Sequence, residues 1–148
     1  MIKLRQMATH LWFQDRAEEA AQLYTSLFEG SRIVHVARWG EGAPGPKGGV
    51  MQVIFELAGV PFMALNGGPH YTLSPAVSLF ASCGGQAEVD ELWEKLLANG
   101  GKESQCGWLE DRFGLSWQII PTALMERMSD PDPKKSSRVV QAMLKMQK

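Results

Sequence analysis

The chain has 148 residues, of which 45% are hydrophobic and 21% charged, and its formal net charge is -1. That length suits one domain, 1–148, able to bury a full core without disulfide staples. The balanced charge, with no basic block, argues against nucleic acid or anionic lipid as a partner. No apolar run approaches ~20 residues, so no membrane span is expected. The opening Met1-Ile2-Lys3-Leu4-Arg5-Gln6 lacks the extended apolar core of a signal peptide. With only Cys83 and Cys106 as thiols, the composition fits a reducing cytoplasm.

Thr9 to Phe13 reads as a strand, and Asp15 then opens a helix with Glu18 as the capping-box partner. Ala17, Ala20, Ala21, Tyr24, Leu27 and Phe28 form its apolar face, and Gly30 supplies a left-handed stop. Ile33 to Trp39 is a strand. Glycine and proline crowd residues 40–49, which predicts a mobile loop. Val50 to Leu57 and Pro61 to Asn66 form a hairpin around Ala58-Gly59. A second irregular loop, Gly67 to Pro75, precedes a strand from Val77 to Ser82. A helix from about Gln86 to Ala98 buries Val89, Leu92, Trp93, Leu96 and Leu97, and Asn99-Gly100 ends it. Two short strands joined by Asp111-Arg112-Phe113-Gly114 follow. The second is an apolar strand carrying Gln118, and it ends at Pro121. Thr122 is placed to cap a short helix with Leu124, Met125 and Met128. Asp132-Pro133 starts another, striped by Val139, Val140, Met143 and Met146. That last helix suits packing on its own domain or on a second subunit.

The two halves match at an offset of about 70 residues: Ala17-Glu18 with Ala87-Glu88, Leu27 with Leu97, Gly30 with Gly100. Each half runs strand, helix, then several strands, an internal repeat of a βαβββ unit. The fold class is therefore α+β. Module one covers about 6–66, module two about 76–121, and a helical tail 122–148. One helix covers only one face of each sheet, so the other must curl around a cavity or meet a second unit.

Four segments then resemble one family: His10-Leu11-Trp12-Phe13-Gln14-Asp15 with Ala17-Glu18-Glu19-Ala20; Phe62-Met63-Ala64-Leu65-Asn66-Gly67-Gly68-Pro69; Gln105-Cys106-Gly107-Trp108-Leu109 with Asp111-Arg112-Phe113-Gly114-Leu115-Ser116-Trp117-Gln118; and Ser129-Asp130-Pro131-Asp132-Pro133. In this order they resemble the vicinal oxygen chelate superfamily, the glyoxalase/bleomycin-resistance fold, and within it the PhnB-like or demethylubiquinone methyltransferase-like branch. The resemblance implies paired βαβββ modules forming cupped half-barrels, and a homodimer.

Enzymes of that superfamily hold a divalent metal with side chains from the first, fifth and last strands. Carried over, the last-strand carboxylate falls on Gln118. The fifth-strand position falls near Ala76 or Ser78, and the first-strand position on Thr9 or His10. A catalytic metal needs about three good protein ligands. Only His10 and Gln118 remain as residual candidates, so no metal and no cofactor are expected. The expected cavity lining is His10, Trp12, Trp39, Asn66, Trp108 and Gln118. His35 reads as solvated or paired, and His70 as a surface loop residue. Cys106 has no cationic neighbour that would make it a nucleophile. The methyltransferase label has no local support, because no glycine fingerprint opens a helix after the first strand. The leading expectation is a metal-free protein that binds a small molecule. The alternative is a divalent-metal-dependent lyase, dioxygenase or transferase with altered ligands.

Overall fold

Two units divide the chain, Met1–Leu73 and Ser74–Lys148, each with its own four-stranded sheet. The computed structural model describes residues 1–146 and 148.

The first unit runs β1 (Thr9–Phe13), α1 (Ala17–Leu27), β2 (Arg32–Arg38), β3 (Val50–Leu57) and β4 (Val60–Asn66). The sheet order is β1-β4-β3-β2, with β1 parallel to β4 and the other pairs antiparallel. Alternation decides the faces. Leu11, Phe13, Val53, Phe55, Leu57, Phe62 and Ala64 are buried. So are Ala17, Ala20, Ala21 and Tyr24 on α1. Three alanines bring the helix close to the sheet, and Tyr24 fills the remaining space beside Phe55, with ring centroids 6.4 Å apart. Phe55 stacks on Phe62 at 5.4 Å. Burying each such side chain contributes about 1.5–3 kcal/mol. The β3–β4 turn has Ala58 and Gly59 at φ of 48° and 84°, the left-handed pair a two-residue hairpin needs.

The second unit repeats the plan: β5 (Ser78–Cys83), α2 (Gln86–Leu97), β6 (Lys102–Glu103), β7 (Trp108–Glu110) and β8 (Ser116–Pro121), in the order β5-β8-β7-β6. Again the first and last strands are parallel. Val89, Leu92, Trp93 and Leu96 of α2 are buried, as are Leu109, Trp117 and Ile119 of the sheet. Asp111, 2% exposed, organises the β7–β8 turn. Its carboxylate accepts from Phe113 N at 2.8 Å, Leu115 N at 3.1 Å and Trp117 Nε1 at 2.9 Å. The tail adds α3 (Thr122–Met128) and α4 (Pro133–Met143), which pack on each other. The architecture is α+β with two βαβββ sheets, and each sheet is open rather than closed into a barrel. Among the described residues no helix is long and apolar enough to cross a membrane.

Two local expectations are corrected. Asp15 and Glu18 do not cap α1: the helix begins at Ala17 after Arg16, and no neighbouring side chain caps it. Thr122 does not cap α3 but is its first residue, behind Pro121. The α4 boundary is as expected, with the Asp132 carboxylate accepting from Lys134 N at 2.9 Å and Pro133 in the first turn. The stretch at 40–49 holds no helix or strand, and it folds onto Trp39. Trp39 N donates to Gly49 O at 2.8 Å, and Gly48 N donates to Trp39 O at 2.9 Å.

Candidate functional site

The face of each sheet turned away from its helix carries the side chains left over from core packing. In the first unit the choice between Thr9 and His10 is settled by register. Thr9 pairs with the buried Phe62, on the helix side, whereas His10 pairs with Met63 on the opposite face. Trp12 shares that face beside Leu65. His10 is exposed, and its Nε2 lies 3.0 Å from Nε2 of Gln52 on β3. When the Gln52 amide donates, His10 is a neutral acceptor at Nε2 with its proton on Nδ1.

The other candidates in this unit have local structural work. The Asn66 Oδ1 accepts from Ala17 N at 2.8 Å, and its Nδ2 donates to Val50 O at 3.1 Å. Asn66 therefore supplies the α1 cap from β4, across 49 residues of sequence. The Trp12 indole donates from Nε1 to Gly68 O at 3.0 Å, and its ring meets Tyr71 edge-on at 4.9 Å. A Cβ at Gly67 would overlap the Trp12 ring, so glycine there lets the chain cross it closely. Trp39 is half-buried in its own loop, against Gly45 by the same kind of close approach. Trp12 and Trp39 thus anchor loops. His35 and His70 are exposed. A shallow groove of about 340 Å³ lies along the first turns of α1, lined by Asp15, Arg16, Glu18, Glu19, Gln22, Val50 and Asn66. Of the expected cavity residues it includes Asn66 alone, and it is rimmed by carboxylates.

In the second unit, register aligns Phe80, Gln118 and Trp108 as one row across β5, β8 and β7. The row is on the face opposite the buried Leu109, Trp117 and Ile119. Phe80 is 50% exposed, which marks this face as incompletely covered. The Gln118 Nε2 donates to Ser78 Oγ at 2.9 Å. Among the described residues nothing donates to Gln118 Oε1 and nothing accepts from the Ser78 hydroxyl. The pair therefore presents one free acceptor and one free donor between two aromatic rings. Sequence reasoning included Trp108 and Gln118 but passed over Phe80 as part of an apolar strand and Ser78 as a poor metal ligand. The alternation of residues 78–83, with Phe80 on the face of Ser78, was the available signal.

These donors do not fit a divalent metal. The Gln118 Oε1 is a weak neutral ligand, and the Ser78 hydroxyl, already accepting from the Gln118 amide, is neutral too, so the pair falls short of the three good ligands a catalytic metal needs. Among the described residues no group of three or more His, Cys, Asp or Glu is placed to hold an ion. Both cysteines are free thiols. Burial, and then the charge of Glu88, push the Cys83 thiol up from its ordinary range, which keeps it protonated. The Gly84-Gly85 entry to α2 is no phosphate cradle, because Gly84 N is taken by the Glu88 carboxylate at 2.7 Å.

The comparisons with known proteins agree with this architecture. A family model described as 3-demethylubiquinone-9 3-methyltransferase matches residues 5–120. The chain belongs to that family. A solved structure from Bacillus cereus, described as a putative 3-demethylubiquinone-9 3-methyltransferase and PhnB protein, is 35% identical. It superposes with a TM-score of 0.72, covering 79% of this chain and 99% of that one. A protein from Pseudomonas aeruginosa is 21% identical, with a TM-score of 0.65 over 80% of this chain and 98% of that one. The fosfomycin resistance protein FosX from Listeria monocytogenes, solved with Mn(II) and sulfate, is 17% identical. Its TM-score is 0.59, covering 87% of this chain and 100% of that one. At that identity the likeness concerns the glyoxalase fold alone. No curated protein matches the chain.

Proposed function

We propose that this PhnB-like chain is a metal-free, small-molecule binding homodimer of the vicinal oxygen chelate superfamily. The observation that carries this reading is the Gln118 to Ser78 hydrogen bond. It joins the two positions of this unit where resemblance would put metal ligands, and it makes them a neutral polar pair. Phe80 and Trp108 on either side suit a flat ring, and the free Oε1 and hydroxyl suit a group that both donates and accepts. A ligand with an aromatic ring and a carboxamide has that chemistry. Methyl transfer, the activity in the family's description, finds no support in the sheets. Neither sheet is doubly wound, and among the described residues the one Gly-Gly entry to a helix, Gly84-Gly85, has its Gly84 N–H taken by Glu88.

Benzamide is the direct probe. Calorimetry with the purified protein is expected to show saturable binding that weakens about tenfold in Gln118→Ala, the loss of one hydrogen bond. Plasma mass spectrometry is expected to find less than one metal ion per chain. A stoichiometric metal that survives dialysis overturns the reading. The competing reading, a divalent-metal-dependent enzyme with altered ligands, rests on the exposed imidazole of His10. It requires a rise in melting temperature on adding Mn(II) that His10→Ala abolishes.

A further inference from the structure

Arg112 is the second residue of the tight β7–β8 turn, closed by Gly114 N donating to Asp111 O at 3.0 Å. Its Nε is buried and has no hydrogen-bond partner. Among the described residues its guanidinium makes no ion pair or hydrogen bond. It rests over the Phe113 ring, with Cζ 5.4 Å from the centroid. Such a contact favours the cation but satisfies none of its N–H donors. A buried N–H without a partner is costly and uncommon. The adjacent Asp111 carboxylate does not supply the partner, being held by two backbone N–H groups and the Trp117 indole. Among the described residues Glu110 and Arg112 do not pair with each other, although only one residue separates them. The side chain is held in a resting position that an anion would improve.

The turn lies beyond one end of the β7–β8 pair that carries this face. Ser78, Ser116 and Glu110 form the row next to Phe80, Gln118 and Trp108, and the turn begins one residue beyond. Four residues along the hairpin separate the level of Gln118 from that of Arg112, roughly 13 Å at ~3.3 Å per residue.

We propose that Arg112 recognises a carboxylate on the small molecule bound at Gln118, leaving the Phe113 ring to form a charge-assisted pair. This rests on the reading of that face as a small-molecule site. A guanidinium binds a planar carboxylate through two parallel N–H bonds. The half-buried Glu110 between the two positions repels a second negative charge, which selects a monocarboxylate over a phosphate dianion. The ligand class is therefore an aromatic amide bearing one carboxylate on a short chain.

The test uses benzamides carrying a para carboxyalkyl chain of increasing length, each against the same chain ending in a primary amide. At the matching length the carboxylate is expected to bind about 10- to 100-fold tighter than its amide partner. Arg112→Gln is expected to abolish that gain and leave benzamide binding unchanged. In parallel, the Arg112 side-chain Nε–H resonance in a ¹⁵N correlation spectrum is expected to shift saturably with the carboxylates and to stay still with the amides. Equal binding of both series, or a gain that survives Arg112→Gln, overturns the proposal while leaving the Gln118 site intact. An Nε–H resonance that follows protein concentration instead assigns Arg112 to a subunit contact, and also overturns it. Failure of benzamide itself, with the Nε–H resonance still responding to acetate, removes the Gln118 reading rather than the anion recognition by Arg112.

Discussion

Asn66 illustrates how one side chain can tie three elements together. Its carboxamide joins the start of α1, the start of β3 and the end of β4 through two hydrogen bonds. Without it the first turn of α1 would keep an orphan N–H, since Arg16 offers no side-chain cap. Asn66→Ala is expected to cost about 1–2 kcal/mol, read as a lower urea midpoint with an unchanged slope. Asn66→Asp is expected to cost at least as much at neutral pH, because it keeps the acceptor at the helix N-terminus but sets a second carboxylate oxygen against Val50 O, where the amide donated at 3.1 Å. Neither change is expected to alter benzamide binding, because Asn66 belongs to the other unit's scaffold. The capping role was not legible in the sequence. Asp15 and Glu18 have the right spacing for a local capping box, and nothing local indicates that a residue 49 positions later does the work.

At the scale of elements, the tail shows how weak contacts hold a terminal segment. Helix α4 buries no residue fully, and Val139, Val140 and Met143 are only half-buried. Beyond it, Met146 O accepts from Cys106 N at 2.7 Å, and Lys148 Nζ reaches Asp90 Oδ1 on α2 at 2.5 Å. Hydrogen bonds from Lys148, and then from Gln86, hold the Asp90 carboxyl below its usual range. A depressed carboxyl pKa contributes stability above the unfolded value, near 3.9, and that stability is lost as pH falls through the lower folded value. The pair is exposed, so salt also screens it. The tail is expected to undock below about pH 4, or in molar salt, before either sheet unfolds. Faster hydrogen exchange at the Cys106 amide, with protection of β8 retained, is the signature to measure. Protection lost together at both would show that the tail is not a separate element. The α4 start was readable because Asp132-Pro133 is a local signal. The docking of Met146 and Lys148 pairs residues far apart in sequence, and no local pattern encodes it.

For the whole molecule, the decisive fact is that each sheet has one helix and two faces. Helix α1 or α2 covers one face, while the other carries Trp12, Ile54, Met63 and Leu65 in the first unit and Phe80, Trp108 and Ile120 in the second. Apolar faces of this kind are stabilised when a ligand or another protein surface covers them. A homodimer follows as the proposed assembly, and sedimentation equilibrium is expected to give twice the chain mass at micromolar concentration. A monomer under those conditions would overturn that part of the proposal.

The repeat, the fold class and nearly every strand and helix could be read from sequence alone, because hydrophobic period and turn residues are local properties. So could the absence of an anionic ligand at Gln118, which depends only on residue type. Which side chains remain free was decided by the tertiary structure. Trp12, Trp39 and Asn66 look like cavity residues in one dimension, yet each is occupied by a close glycine, a loop or a distant helix end. Phe80, Ser78 and Arg112 look unremarkable there, yet register and an unpaired N–H mark them out. Partners separated by 40 or 49 residues are chosen by strand register, and register exists only once the sheet has formed.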